Sequence, residues 1–303
     1  MKNQSRIHLT IVLIVFVVVV LLHVIQTTPT KPIWLVATMS HYSPKAKRRR
    51  LMIRETYQRL TNPLSSIATT RFILGEPPTP SHLESLIQEN NTYGDIIILP
   101  IPENPHTANT IKPITFLSSL LTTNTHLRHP FISKADDDSY IHLSLYYKTY
   151  IQPNINLKNV IIGRNCTDCQ PYLYATGQLY TLSLDMSDTL ASLFSKTPLQ
   201  NHPEDALVGK LLEKHNLHPP HNYTFIRVEN REAFDFDARH NETWKKNHAV
   251  RGGAINPHKL KRDVDFLGVA ALFDEKGLWK IAWVKWIKSS GDGMYSSDDE
   301  DRA

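Results

Sequence analysis

A run of three aspartates, Asp136 to Asp138, has the residue types and the spacing to bind a cation. The run lies between two short apolar segments, 131–132 and 140–141, so the carboxylates follow the end of a predicted buried strand. Two like charges about 4 Å apart repel by about 4 kcal/mol at an effective dielectric constant of about 20. A divalent metal with oxygen ligands, shared with a phosphate, would relieve that repulsion. A solvated acidic loop is the competing interpretation, and the aspartates alone favour the two equally.

A second acidic pair, Glu204 and Asp205, lies at a predicted helix start. Pro203 suits the first helical position, Asn201 or His202 can cap the helix, and an apolar stripe follows. The positive end of a helix favours ionised carboxylates by about 0.3–1 kcal/mol, and a general base must be ionised. Acidic residues that only complement the helix dipole are common, so the pair taken alone favours this simpler interpretation.

Two late histidines, His248 and His258, are candidate metal ligands on either side of a Gly-Gly pair. A neutral imidazole and a carboxylate can complete the protein's share of a metal's ligands, with phosphate oxygens filling the rest. The chain has 15 histidines, so an ordinary surface or core histidine is the alternative for each of them.

The first half of the sequence alternates predicted strands and helices. The strands are continuous apolar runs, which is typical of a sheet that helices cover on both faces, so the predicted fold class is α/β. In open α/β sheets ligands bind beyond the carboxyl ends of the strands, where Asp136 lies by chain order. The predicted strands are 33–39, 71–75, 95–99 and one that ends at 136, and the predicted helices are one through Arg50 and Arg54, 81–89 and 111–121.

Several nucleotide-binding and hydrolase motifs are missing from the sequence. It has no Gly-x-Gly-x-x-Gly after the first strand, no Gly-Lys-Ser/Thr loop and no Gly-x-Ser-x-Gly elbow. A bound nucleotide would therefore need a metal and basic side chains to neutralise its phosphates. A metal-dependent hydrolase would need more histidine and aspartate ligands, grouped in several motifs, than the chain offers.

The amino-terminal segment predicts a signal anchor. Residues 7–25 are almost entirely apolar, and a transmembrane helix needs about 20 such residues. Lys2 and Arg6 precede this span and favour a cytosolic amino terminus, whereas a cleaved signal peptide would have a shorter apolar region and a recognisable cleavage site. The predicted order is a cytosolic tail over 1–6, the transmembrane anchor over 7–25, a short stem over 26–32, a lumenal domain over 33–290 and a disordered acidic tail over 291–303.

Glycosylation sequons and cysteines agree with a secretory compartment. The Asn-x-Ser/Thr pattern occurs at Asn90, Asn165, Asn222 and Asn241. Cys166 and Cys169 are the two cysteines of the chain, and in a lumenal domain a local disulfide is the first interpretation. A thioredoxin-like redox pair or a zinc site has less support from the surrounding sequence.

The charge of the chain is modest, at +5 for 303 residues. A basic cluster at 45–50 is compatible with a patch for the phosphates of a small anionic ligand or with a solvated helix start. A nucleic-acid patch would look similar, but the predicted lumenal placement excludes nucleic acid as a partner.

Seven segments, taken in order, resemble motifs of one enzyme family. They are 50–57, 72–75, 93–97, 134–141, 172–180, 204–209 and 258–261. With them the chain resembles the β-1,3-galactosyltransferase/N-acetylglucosaminyltransferase family, glycosyltransferase family 31, over most of the predicted lumenal part. The segment 134–141, for example, corresponds to the family's Lys-x-Asp-Asp-Asp-x-Phe-Val. The chain departs from the family at Tyr57, where the motif has Trp, at Leu173, where it has Pro, and beyond residue 99, where Lys112 is the one plausible counterpart.

The resemblance implies a GT-A-like fold and an inverting, metal-dependent hexosyltransferase. It implies transfer of galactose or an N-acetylhexosamine from a UDP-sugar to a hydroxyl of a glycan or glycoprotein acceptor, in β-1,3 linkage. It also implies a single-pass type II protein of the Golgi apparatus membrane. A catalytically inactive, membrane-anchored lectin or scaffold on the same fold is the alternative. The donor sugar and the acceptor stay open.

The resemblance implies a role for each acidic residue of the triplet. Mn²⁺ would be held by Asp138 and His258, with His248 as the second choice of ligand. Asp136 and Asp137 would help to hold the nucleotide and the groups that surround the metal.

The remaining site residues follow from the same resemblance. Asp205 would take the proton from the acceptor hydroxyl, with Glu204 as the second choice of base. The candidates for contacts with the uracil or the phosphates of the nucleotide are Arg50, Arg54 and Lys112.

Overall fold

A computed structural model describes residues 32–59, 68–104, 107, 110–166, 172–197, 203–236 and 253–273. The predicted anchor at 7–25, the acidic tail, His248 and Cys169 lie outside these ranges. Within the described residues, no helix has both the length and the apolar character needed to cross a bilayer.

A mixed sheet of seven strands positions the rest of the molecule. Its strands are β1 (Trp34–Met39), β2 (Ala68–Glu76), β3 (Ile96–Pro102), β4 (Phe131–Asp136), β5 (Val160–Asn165), β6 (Ala175–Ser183) and β7 (Thr224–Arg227). They lie in the order β3-β2-β1-β4-β6-β5-β7. The first four strands pair in parallel, β6 is antiparallel to both β4 and β5, and β7 is parallel to β5. The predicted α/β class and all four predicted strands are therefore confirmed.

Seven α-helices, besides short 3-10 and π-helical segments, flank the sheet in the described part of the chain. They are α1 (Pro44–Ile53), α2 (Pro80–Tyr93), α3 (Lys112–Thr122), α4 (Leu143–Tyr146), α5 (Leu184–Lys196), α6 (Glu204–Lys214) and α7 (Asp263–Leu272). Ser43 caps α1 by accepting a hydrogen bond from the Ala46 N–H at 3.1 Å, and Thr79 caps α2. At the far end of α2, Gly94 has φ 66°, a left-handed conformation that glycine adopts without steric cost and that ends the helix.

The parallel half of the sheet packs against a core on each face, which explains the apolar runs in its strands. Alternate residues of β1 enter opposite cores: Trp34 and Val36 pack on one side, and Leu35 and Ala37 on the other. The first core includes residues of α1 and α7, and the second includes residues of α3, α5 and α6. With helices on both sides, the carboxyl ends of the parallel strands are the edge left open for a ligand.

A second, two-stranded sheet brings a distant part of the chain to that edge. Its strands, β8 (Ala233–Asp235) and β9 (Asn256–His258), pair in parallel with Asp235 opposite His258. β9 is hydrogen-bonded to the turn that follows β4, because the Tyr140 N–H donates to Pro257 O at 2.9 Å. Just beyond β9, the Leu260 N–H donates to Asp138 O at 3.0 Å. His258 is thereby fixed beside the aspartate run.

Candidate active site

A cleft of about 860 Å³ opens at the carboxyl ends of β1 and β4. This volume is in the range of small-molecule and cofactor sites. The cleft collects residues that are far apart in the sequence, and the acidic ones are Glu103, Asp136, Asp137, Asp138, Glu204, Asp205 and Asp235. The aspartate run, the second acidic pair and His258, which the sequence singled out separately, therefore line one cavity.

Asp136, Asp138 and His258 form a group that could hold a metal ion. Each offers one ligand atom, and these three atoms lie within 4.8 Å of one another. Nε2 of His258 is 3.2 Å from Oδ1 of Asp138 and 3.5 Å from Oδ2 of Asp136. Two carboxylates and one imidazole suit a divalent cation that accepts both oxygen and nitrogen ligands. The residues present therefore fit the metal that the sequence predicted.

Asp235 orients the imidazole of His258. Nδ1 of His258 lies 2.8 Å from Oδ1 of Asp235, so a proton on Nδ1 leaves Nε2 directed at Asp136 and Asp138. Burial lowers the pKa of His258, but hydrogen bonds to Asp136, Asp138 and Asp235 outweigh it and raise the pKa to about 10. The three carboxylates around His258 thus favour its protonated form. Sequence reasoning missed Asp235, because only the pairing of β8 with β9 places it there.

Two lysines balance the carboxylates at the mouth of the cleft. Nζ of Lys261 is 2.6 Å from Oδ2 of Asp138, and Nζ of Lys259 is 2.8 Å from Oδ2 of Asp235. Burial raises the pKa of Asp138, but His258 and Lys261 more than offset this and hold it below the usual range. Burial and the Asp138 charge raise the pKa of Asp137 to about 6. The positive side chains therefore offset the repulsion between the carboxylates and stabilise the acidic cluster.

The amino-terminal end of α6 brings the second acidic pair to the same cleft. Asp205 accepts hydrogen bonds from the Ala206 N–H at 2.8 Å and from the Gly177 N–H at 3.0 Å. Pro203 lies just before the helix, which begins at Glu204 and not at the proline as predicted. The predicted capping residues Asn201 and His202 lie outside the described residues.

Glu204 differs from its neighbour because side chains occupy both of its oxygens. Oε1 forms an ion pair with Nζ of Lys134, and Oε2 accepts a hydrogen bond from the Tyr180 hydroxyl at 3.2 Å. Burial raises the pKa of Glu204 to about 7 against the opposing effect of Lys134. Asp205, whose protein partners are backbone N–H groups, is the more available of the two carboxylates.

The structure does not bring Arg50 and Arg54 to the cleft, contrary to the predicted nucleotide contacts. Arg50 is fully buried, with Nε 2.8 Å and Nη2 2.6 Å from the two oxygens of Glu89. Arg54 forms two hydrogen bonds with Asp95, at 2.8 and 2.7 Å, and a third with Glu89. Both guanidinium groups are thus engaged by buried carboxylates that do not line the cleft. Arg50 also donates to His41 O at 2.6 Å, and so supports the cleft-lining loop after β1.

Lys112 lies at the cleft wall but has a carboxylate partner. Its Nζ is 2.5 Å from Oε1 of Glu103 and 2.8 Å from Ser40 O. Burial lowers the pKa of Lys112, and Glu103 opposes that change. The lysine therefore ties α3 to the loop after β1 as well as lining the cavity.

Cys166 also lines the cleft and is disulfide-bonded. This agrees with the first interpretation of the cysteine pair, although Cys169 lies outside the described residues. The bond fixes the chain where β5 ends beside the cavity.

Replacing Arg50 by methionine is expected to lower the free energy of unfolding by about 3–5 kcal/mol, because it leaves buried Glu89 without one of its two arginine partners. Urea unfolding measures the change. The matched control is Arg59→Met, which breaks an exposed pair with Glu55 at 3.0 Å and should cost less than about 1 kcal/mol. Equal losses in the two variants would contradict the proposed structural role of Arg50.

Comparison with solved structures gives only weak likenesses. The chain is similar to a 4-diphosphocytidyl-2C-methyl-D-erythritol synthase from Anaerococcus prevotii, with a TM-score of 0.43 and 12% identity over 80% of this chain and 96% of that one. It is similar to a mannosyltransferase from Pyrobaculum calidifontis in complex with GDP-Man and Mn²⁺, with a TM-score of 0.39 and 11% identity over 87% of this chain and 77% of that one. At these values neither likeness identifies the function of this chain.

Comparison of sequences is more informative. A curated relative, the beta-1,3-galactosyltransferase pvg3 of Schizosaccharomyces pombe, is 27% identical over an alignment that covers 40% of this chain and 45% of that protein. The match thus spans about half the length of the relative. Residues 48–171 match the family model described as Galactosyltransferase. This segment includes most of α1, the parallel strands β2 to β4 and the aspartate run, so the similarity covers the part of the candidate site at the end of β4.

Proposed function

We propose that this chain is an inverting, metal-dependent glycosyltransferase with a GT-A-like fold. It moves a hexose, galactose or an N-acetylhexosamine, from a UDP-sugar to a hydroxyl of a glycan or glycoprotein acceptor, in β-1,3 linkage. The observation that carries the proposal is that Asp136, Asp138 and His258 share one cleft with Asp205, in a chain with a galactosyltransferase-family segment.

The metal side of the proposed reaction lies at the end of β4. Asp138 and His258 would hold Mn²⁺, Asp235 would orient His258 so that Nε2 faces the ion, and Asp136 and Asp137 would hold the nucleotide and the groups around the ion. When bound, the ion supplies a Lewis acid that stabilises the negative charge of the departing UDP. Lys259 and Lys261 lie beside the same carboxylates, paired with Asp235 and Asp138, and would be the cations of this side of the cleft that a diphosphate could contact.

The base side of the proposed reaction lies at the start of α6. Asp205 accepts the proton of the acceptor hydroxyl while the hydroxyl oxygen bonds to the anomeric carbon. The bond from that carbon to the UDP oxygen breaks on the opposite face, which inverts the configuration. A single base suffices for this displacement, and no covalent sugar–enzyme intermediate forms. Asp205 suits the role better than Glu204, because side chains engage both oxygens of Glu204.

We also propose a Golgi membrane location with a type II orientation. The support is the apolar segment 7–25 preceded by basic residues, together with the glycosylation sequons in the remainder of the chain. The acidic and basic residues of the cleft then face the lumen, where nucleotide sugars and glycan acceptors meet.

A donor screen tests the proposal. The purified chain is incubated with Mn²⁺ and UDP-galactose, UDP-N-acetylglucosamine or UDP-N-acetylgalactosamine, each with and without a set of glycan acceptors. We expect metal-dependent release of UDP with one donor and, with an acceptor, a β-linked product seen by NMR. An inactive lectin or scaffold would bind glycans but release no UDP from any donor, and that outcome would contradict the proposal.

Replacing Asp235 by asparagine is expected to weaken Mn²⁺ binding about 10- to 100-fold, because a neutral partner no longer fixes the orientation of His258 as strongly. Isothermal titration of the purified variant with Mn²⁺ measures the effect. Asp188→Asn is the matched control, since Asp188 pairs with Arg128 outside the cleft. Unchanged Mn²⁺ affinity in Asp235→Asn would show that Asp235 does not support the metal ligand.

A further inference from the structure

Lys134 connects the two sides of the cleft. It lies on β4, two residues before Asp136, and its side chain is 7% exposed. Its ammonium group has three partners from three different elements. It lies 2.7 Å from Oδ1 of Asp136 at the end of β4 and 2.6 Å from Gly177 O on β6. It also pairs with Oε1 of Glu204 in the first turn of α6.

Gly177 extends this connection to Asp205. Its carbonyl oxygen accepts from Lys134, and its N–H donates to Oδ2 of Asp205 at 3.0 Å. A Cβ at position 177 would lie 2.8 Å from Oε1 of Glu204 and 3.1 Å from Nζ of Lys134. The absence of a side chain is thus what allows Lys134, Glu204 and the strand to meet. One ammonium group thereby contacts Asp136, a candidate metal ligand, and holds the carbonyl of Gly177, the residue whose N–H binds the candidate base.

A contribution to folding stability does not by itself explain this arrangement of buried charges. Removing charges from water is costly, and a buried ion pair often contributes no more to folding than apolar residues of similar volume would. The arrangement does specify geometry, because an ammonium group with three partners fixes all three relative to one another. Glu204 contributes by anchoring α6, so that the neighbouring Asp205 cannot drift from the cleft.

We propose that Lys134, Gly177 and Glu204 form a clamp that sets the position of Asp205 relative to the metal ligands. This inference rests on the proposed function, since it takes Asp205 as the base and Asp136 and Asp138 as part of the metal site. Lys134 and Glu204 are positioning residues in this scheme, and neither touches the reacting atoms. A displacement of about 1 Å at a reacting group can cost about 100-fold in rate.

The test compares Lys134→Met with the double variant Lys134→Met/Glu204→Gln. The single variant leaves the partly buried carboxylates of Glu204 and Asp136 without their ammonium partner, so its melting temperature should fall. The double variant removes one of those charges and should recover part of the melting temperature. We expect kcat to fall about 100-fold in both variants, with the donor KM within about threefold of the unaltered protein.

Hydrogen exchange supplies a readout that does not depend on activity. The Gly177 amide donates to Asp205, so its exchange reports directly on the clamp. Mass spectrometry of peptides covering 174–180 should show faster exchange at this amide in both variants. Arg128→Met, which breaks the pair with Asp188 away from the cleft, is the control and should leave both kcat and this exchange unchanged.

Each result decides the proposal. If kcat and the melting temperature both recover in the double variant, Lys134 contributes to folding stability alone, and the clamp proposal is wrong. Unchanged exchange at Gly177 in Lys134→Met would also overturn it. If the unaltered protein turns over no donor, the proposed function fails. Hydrogen exchange then decides by itself whether Lys134 holds the strand against α6.

Discussion

Asp205→Asn is expected to lower sugar transfer by about 100- to 10,000-fold, the usual contribution of a general base. An amide cannot take the proton of the acceptor hydroxyl at neutral pH. The side-chain oxygen of asparagine can still accept one of the two backbone N–H groups, that of Gly177 at 3.0 Å, and the ion pair of Glu204 with Lys134 should keep the start of α6 in place. Affinities for UDP and Mn²⁺ should therefore stay close to those of the unaltered protein. Initial rates at saturating donor, together with calorimetric titrations, measure both effects.

Asp185→Asn is the matched control for this variant. Asp185 also lies in the first turn of a helix, α5, and accepts a backbone hydrogen bond from Asn159 at 2.7 Å, but it is outside the cleft. Its replacement should leave transfer unchanged. Full transfer by Asp205→Asn would show that the base assignment is wrong. Loss of transfer in Glu204→Gln alone would then move the role to Glu204, provided that the clamp test excludes a positioning effect.

The first half of the fold was predictable because burial leaves a clear pattern there. β1 to β4 are covered on both faces, so each is a continuous apolar run that the sequence shows directly. β8 and β9 have no such signal. β9 is the tripeptide Asn-Pro-His, and its pairing with β8 joins residues that a long segment separates. Tertiary contacts, rather than local periodicity, create this second sheet.

In the candidate site, too, residues in recognisable sequence motifs were predictable, whereas residues placed by tertiary contacts were not. Asp138, His258 and Asp205 were predicted because they lie in motifs that resemble a known family, and the structure places all three in one cleft. Asp235 was missed because its part depends on strand register. The positions of Arg50 and Arg54 were not predicted. A basic helix has the same sequence pattern whether its arginines face a ligand or buried carboxylates, and the partner of both, Glu89, lies on a different helix.

Asp138→Asn is expected to abolish metal-dependent activity. The variant keeps the shape of a side chain that is 7% exposed but removes a charge that lies 3.2 Å from His258. A metal that acts as a Lewis acid is worth several kcal/mol of transition-state stabilisation, and about 4 kcal/mol corresponds to roughly a thousandfold in rate. We therefore expect kcat to fall roughly a thousandfold. The loss of Mn²⁺ affinity should exceed the loss of about 10- to 100-fold that is expected for Asp235→Asn. Calorimetry and rate measurements over a range of Mn²⁺ concentrations separate the two losses.

A chelator supplies the complementary experiment on the unaltered protein. EDTA should remove activity to the level of Asp138→Asn, and excess Mn²⁺ should restore it only in the protein that keeps Asp138. Asp265→Asn is the control, since Asp265 pairs with Arg262 on α7, outside the cleft, and should respond to Mn²⁺ as the unaltered protein does. Activity that resists EDTA would contradict a metal-dependent mechanism. His258, Lys259 and Lys261, which lie beside Asp138 and Asp235 in the cleft, would then be candidates to stabilise the negative charge of the leaving group.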